Sequence, residues 1–290
     1  MAELVREADP RWLFAVVLLQ VLTYAALASG WSFAIRRAGA RPPDRPALVR
    51  LAFAELFTNQ VVPSIGVGGT LLVVGGLRRR SVPREAAATA VVAGFLGFYL
   101  AQLAGVLGAL ATFSALRVTS RFSAGVLAFD VVVALAAPAA TVATVTGALR
   151  HLPARIRRVG VVQSMHDAVL LAPRKVVLAP GMLLPVAGSR LAIMVLDGAT
   201  LAASLAAVGY PLRPDLVVAV FVLAQVAGSM TFLPGGLGGF EAVAVGLLAT
   251  LRVPLAAAVP AVLVMRAFSF WLPMIPGLLF ARAEVRGEPA

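Results

Sequence analysis

Six charged side chains, Glu55, Asp130, Arg190, Asp197, Glu241 and Arg266, lie inside long apolar runs of this 290-residue chain. A charge in hydrocarbon costs about 2.5–3.5 kcal/mol on insertion scales, so each of them needs a partner or water. Two arrangements meet that need: neutralisation of one helix by another, or contact with a polar substrate. Four acids against two bases leave a net charge of −2 when all are ionised, which suits a cationic or zwitterionic substrate. Protonation of any buried acid removes that preference.

The second kind of site is backbone. An apolar stretch is interrupted by N-Q-V-V-P-S-I-G-V-G-G, with Asn59, Pro63, Gly66, Gly68 and Gly69, and a later one by P-G-G-L-G-G-F-E, with Pro234, Gly235, Gly236, Gly238, Gly239 and Glu241. In both, a proline is followed by a G-x-G-G element, with a difference of one residue in spacing. Non-helical backbone at membrane depth leaves N–H and C=O groups unpaired and is tolerated only where it is enclosed by protein or lines a wet cavity. Consecutive glycines aim N–H groups at an anion, and the half-helix that follows adds the positive end of its dipole. A phosphate headgroup suits such a place, and close helix packing is the competing explanation. Glu241 opens the half-helix after the second break, where the dipole alone favours a carboxylate. Arg266, among apolar neighbours in V-L-V-M-R-A-F-S-F-W, is a partner for Glu241 or for a lipid phosphate. Arg190 and Asp197 are seven residues apart, about 10 Å along one helix face, so each is expected to meet another helix.

Catalytic patterns are missing. His151 and His166 have no H-x-x-H or H-E-x-x-H spacing, no G-x-S-x-G elbow or P-loop occurs, and the chain has no cysteine. The expectation is a protein that is not an enzyme and holds neither metal nor cofactor.

The elements that must carry these groups follow from the apolar runs. Residues 12–35 form a retained membrane helix without a cleavage site. Residues 36–50 are a basic loop whose prolines stop the helix. Residues 51–77 have basic flanks on both sides and a first arm, 51–62, of only about 18 Å, so they read as a re-entrant hairpin turning at the Pro-Gly break. Residues 86–116 and 122–149 read as an antiparallel pair of spanning helices. The segment 150–175, with six basic residues, reads as an amphipathic cytoplasmic surface segment. Residues 176–208 form a tilted helix kinked by prolines. A second hairpin from residue 216 turns at Pro234, and 255–280 make the last crossing. The resulting expectation is an all-α polytopic integral membrane protein. It is a single membrane domain (1–290) with repeat-like halves 12–149 and 176–281, in which the two Pro-Gly-broken re-entrant hairpins form an inverted repeat.

Composition agrees. Hydrophobic residues make up 60% of the chain and charged residues 13%, with a mean hydropathy of +0.94, so only a bilayer can be its solvent. The formal charge of +12 sits in short loops: fifteen of the 25 basic residues fall in 36–50, 78–84 and 150–175. That bias makes those loops cytoplasmic, with the N-terminus outside and the C-terminus inside. No basic groove is interleaved with aromatics, which excludes nucleic acid as a partner. With 24 Arg to one Lys the composition points to a GC-rich bacterial genome and a bacterial inner membrane.

From Pro234 to Ala242 (PGGLGGFEA), with VMRAFSFWLPMIPGLL in the last helix and NQVVPSIGVGG earlier, the chain resembles the lysylphosphatidylglycerol synthase transmembrane-region family, over roughly residues 11–282. The resemblance implies a flippase-like membrane region that moves a phospholipid between leaflets, without the separate soluble domain that performs aminoacyl transfer. The chain departs from the family pattern after the first break, where Thr70 and apolar residues replace an acid and an Arg. A lipid or lipid-linked headgroup translocator is the leading expectation, with membrane phospholipid as partner. A small-solute or ion-coupled transporter is one alternative. The other is a non-transporting lipid-binding partner of a membrane synthase or glycosyltransferase. A homodimer or a complex with such an enzyme would fit either reading.

Overall fold

A computed structural model of the chain describes residues 9–61, 67–115, 160–230 and 234–286, with a few more between 135 and 146. Among the described residues the regular structure is helical and no strand occurs. Four helices are long and apolar: α1 (Pro10–Arg37), α4 (Arg84–Ala115), α7 (Pro180–Ala207) and the continuous run Leu255–Arg286. At 1.5 Å per residue they reach about 42–48 Å, more than a hydrocarbon core of roughly 30 Å requires. Four more are too short to cross alone: α2 (Arg45–Val61), α3 (Val67–Arg79), α8 (Pro214–Met230) and α9 (Gly239–Thr250). Helices α5 (Gly160–Leu171) and α6 (Arg174–Val177) precede α7.

The order of lengths repeats. A helix of 28 residues is followed by half-helices of 17 and 13 and then by a helix of 32; later, 28 is followed by 17, 12 and 32. In both sets the two half-helices pack against each other.

Local sequence accounts for several boundaries. Helix α2 begins at Arg45, six residues before the expected 51, because Asp44 Oδ1 caps the Ala47 N–H at 3.2 Å and Pro46 falls in the first turn, where its missing N–H is not needed. The last run continues past 280 to Arg286 as α10 (Leu255–Arg266), a π turn (Ala267–Trp271) and α11 (Leu272–Arg286). Pro273 cannot donate to the Ser269 carbonyl four residues back, so the ladder is loosened where the wide turn occurs. Helix α5 has one buried and one exposed face: Ala168 and Val169, with Ala172, pack on Ala88, Val92 and Leu96 of α4, while Gln163, Asp167, Leu170 and Leu171 are exposed. The expected crossing at 122–149 and the basic stretch 150–159 lie largely outside the described residues.

The chain divides into two compact units, each drawn from both halves of the sequence. Unit 1 is Met1–Thr23, Gln102–Val132 and Leu191–Pro273; unit 2 is Tyr24–Ala101, Val133–Arg190 and Met274–Ala290. Unit 1 buries Leu201, Leu205, Val217, Val220 and Leu248 completely. The core of unit 2 is built on Ile35, Leu48, Leu51, Val73, Leu77 and Met182. Large apolar side chains also cover the outside: Phe14, Leu184, Ile275 and Leu279 are each more than half exposed. An apolar exterior over helices of spanning length defines a polytopic membrane protein, in which lipid supplies the solvent that these side chains need.

Candidate functional site

In unit 1 the second break is a tight backbone turn with a charged clamp. Gly235, Gly236 and Gly238 have φ of 66°, 64° and 83°, conformations that a side chain resists. At Gly236 there is also no room, since a Cβ would lie 2.9 Å from the Gly228 carbonyl oxygen of α8. Glu241, in the first turn of α9, accepts the Gly238 N–H on Oε2 at 2.7 Å. Its Oε1 accepts Arg266 Nε at 2.5 Å, and Arg266 Nη2 donates to the Gly235 carbonyl at 2.8 Å. The guanidinium rests 5.1 Å from the Phe240 ring centroid and 4.5 Å from that of Phe270. Only a planar, forked cation can bind the carboxylate and the unwound carbonyl while lying against two rings. Gly239 is the first residue of α9, and Pro234 opens the short 3-10 turn that precedes it.

In unit 2 the first hairpin is closed differently. Helix α2 is described to Val61 and α3 from Val67, so Pro63 and Gly66 fall outside the described residues, whereas Gly68 and Gly69 belong to the first turn of α3. The Gly69 N–H donates to Asn59 Oδ1 at 3.0 Å. A Cβ on Gly69 would stand 2.5 Å from that oxygen and 2.7 Å from the Glu55 carbonyl, so the two arms meet backbone to backbone. Glu55, one turn before Asn59, faces the guanidinium of Arg190 on α7 electrostatically, but the two do not close into a direct bridge. Neither side chain hydrogen-bonds to another described residue, and both are half-buried. Arg190 Nη2 lies over α4 at Gly94, where a Cβ would come within 3.1 Å.

Asp197, also half-buried, belongs to unit 1. Its Oδ1 accepts Gln20 Nε2 at 3.1 Å and Thr23 Oγ1 at 3.2 Å, both from α1. Gln20 also donates to Thr200 Oγ1 at 3.1 Å. Oδ2 has no donor among the described residues. The charges therefore fall into separate sets. Glu241 and Arg266 are joined, Glu55 faces Arg190 across a gap, and Asp197 is held by neutral donors; Asp130 lies outside the described residues.

Sequence reasoning missed Gln20, Thr23 and Thr200. The signal was there, because a lone amide in an apolar run needs a partner for the same reason that a charge does. It also missed Glu284, which is 4% exposed and accepts Arg79 Nη2 at 2.5 Å and Arg80 Nη2 at 2.6 Å, tying the end of α3 to α11 within unit 2. His166 lies 3.9 Å from Asp167. His151 is outside the described residues, and no group of three potential metal ligands occurs among those described.

These features define a multi-pass membrane protein with ionisable groups and unwound backbone inside its helices. The chain belongs to the lysylphosphatidylglycerol synthase TM region family, whose model matches residues 1–277. No curated protein matches the sequence. The family fits a membrane lipid-related role.

Proposed function

We propose that the protein translocates a lipid or lipid-linked headgroup between the leaflets of a bacterial inner membrane. The observation that carries this reading is the gap between Glu55 and Arg190. Opposite charges on two membrane helices stay apart, largely buried and without other described partners, beside two packed helices that are each too short to cross alone. Unpaired charges in a bilayer are costly, and a headgroup carrying both a phosphate and an ammonium would satisfy both at once. The family match supports a lipid as the substrate. The repeated order of long and half helices supports two re-entrant hairpins in an inverted repeat, and the basic loops support an N-terminus outside and a C-terminus in the cytoplasm. Glu241 and Arg266 hold the second break in shape rather than receiving the headgroup.

The test is leaflet exchange of labelled anionic, zwitterionic and aminoacylated phospholipids in proteoliposomes. Wild-type protein is expected to exceed empty liposomes, and Arg190→Gln to slow exchange roughly tenfold, as loss of one charge-assisted hydrogen bond would. Exchange no faster than in empty liposomes for all three lipids would overturn the proposal. Solute uptake without lipid exchange would select the small-solute alternative.

A further inference from the structure

A second polar feature of unit 2 lies where α1 ends and α2 begins. A cavity of about 130 Å³ is lined by Ala25, Ala28, Ser29 and Ser32 of α1 with Arg36 at its end, and by Arg45 and Val49 of α2. Its volume is of the order that admits a benzene-sized guest, enough for a small headgroup. Four of its α1 residues, Ala25, Ser29, Ser32 and Arg36, follow at intervals of four, three and four, so they form a single stripe on one face of the helix. From Ala25 to Arg36 the stripe runs about 16 Å, close to the depth of one leaflet of hydrocarbon. It changes character along the way, from small and apolar, through two hydroxyls, to a guanidinium.

The polar end is underused by the protein. Arg36 gives Nη1 to Ser32 Oγ at 2.6 Å, which fixes its direction and leaves its other N–H groups without a described partner. Arg45 makes no hydrogen bond or ion pair among the described residues. Asp44, the nearest acid in sequence, is turned to cap the Ala47 N–H. Two guanidinium groups from different helices thus flank two serine hydroxyls with no carboxylate in the lining. That donor set suits the phosphate of a net-anionic lipid, and the small residues Ala25 and Ala28 leave room for an acyl chain to run along α1. Ala25 and Ser29 are exposed, so the groove opens sideways rather than into the unit. Here the lipid stays bound on one leaflet, whereas translocation needs a path across, and the site stands independently of that reading.

We propose that the groove formed by Ala25, Ser29, Ser32, Arg36 and Arg45 is a binding site for the phosphate of an anionic phospholipid. The test uses the full chain in detergent, with bound lipid counted by native mass spectrometry during titration with phosphatidylglycerol, with phosphatidylcholine and with inorganic phosphate. Phosphatidylglycerol is expected to be retained in preference to the other two. The R36A/R45A double variant should retain it about tenfold less, as expected for the loss of charge-assisted contacts. Arg41→Ala removes the same charge from the same loop without touching the groove and should leave retention unchanged. An equal loss with Arg41→Ala would mean diffuse attraction by the basic loop and overturn the site. So would wild-type retention in the double variant, or phosphatidylcholine held as well as phosphatidylglycerol. Inorganic phosphate binding as well as the lipid would show an anion site that does not read lipid, and would overturn the assignment.

Discussion

The two hairpins have nearly the same lengths, 17 and 13 residues in the first and 17 and 12 in the second, and they treat their charges in opposite ways. In the second, both oxygens of Glu241 and two edges of Arg266 are spent on the break itself. In the first, the arms are joined by a neutral contact, Gly69 to Asn59, and the nearby charges remain apart. One hairpin is thus locked by its ions, and the other is closed by a neutral contact while the nearby charges form no direct bridge. Intramembrane charge is therefore not by itself a mark of substrate contact. The mark is a charge whose protein partners leave it incomplete.

The largest effect is expected where the lock is removed. Arg266→Ala leaves Glu241 facing apolar surroundings and frees the Gly235 carbonyl, and should lower stability by about 3 kcal/mol, read as the midpoint of unfolding in detergent. Arg266→Lys keeps the charge but cannot serve carboxylate and carbonyl together while lying on both rings, so it should fall between the two. An Arg266→Ala protein as stable as wild type would remove the distinction between the hairpins.

Next in size is the backbone closure of the first hairpin. Gly69→Ala drives a methyl against the Glu55 carbonyl and Asn59, which only a shift of α3 can relieve, and should cost about 2 kcal/mol. At the second break the same substitution separates conformation from space. Gly236 and Gly238 both have positive φ, but only Gly236 has backbone within 3 Å of its absent Cβ. Gly238→Ala should cost about 1 kcal/mol, for the left-handed conformation alone. Gly236→Ala should cost measurably more in the same unfolding assay.

How far the sequence reaches can be judged from the same residues. The membrane environment and the half-helices were legible, because 60% hydrophobic residues and two Pro-Gly interruptions leave little choice of solvent or of helix length. The start of α2 was not, because Pro46 reads as a breaker until Asp44 is seen to cap the turn that contains it. Partner choice was legible for Arg266, where apolar neighbours leave few acids to meet. It was hidden for Arg79 and Arg80, which look like free loop cations until Glu284, 204 and 205 residues away in sequence, comes back to them. Composition and periodicity report what a residue needs, whereas tertiary contact decides which residue supplies it.

The smallest stability effect is expected at Glu55 and Arg190, and it gives the sharpest test of the comparison. A double-mutant cycle on Glu241→Gln and Arg266→Gln measures a pair in direct contact and should return a coupling of about 2 kcal/mol or more. The same cycle on Glu55→Gln and Arg190→Gln measures charges that attract without closing into a direct bridge, and should return a smaller coupling. Adding a zwitterionic short-chain phospholipid should then separate the two cycles further. A ligand that bridges Glu55 and Arg190 stabilises only the wild-type pair, so the apparent coupling between them should rise with lipid concentration, while that between Glu241 and Arg266 stays constant. Large coupling at Glu55 and Arg190 without lipid would mean that these charges are already a structural bridge, and the first hairpin would lose its claim to the substrate.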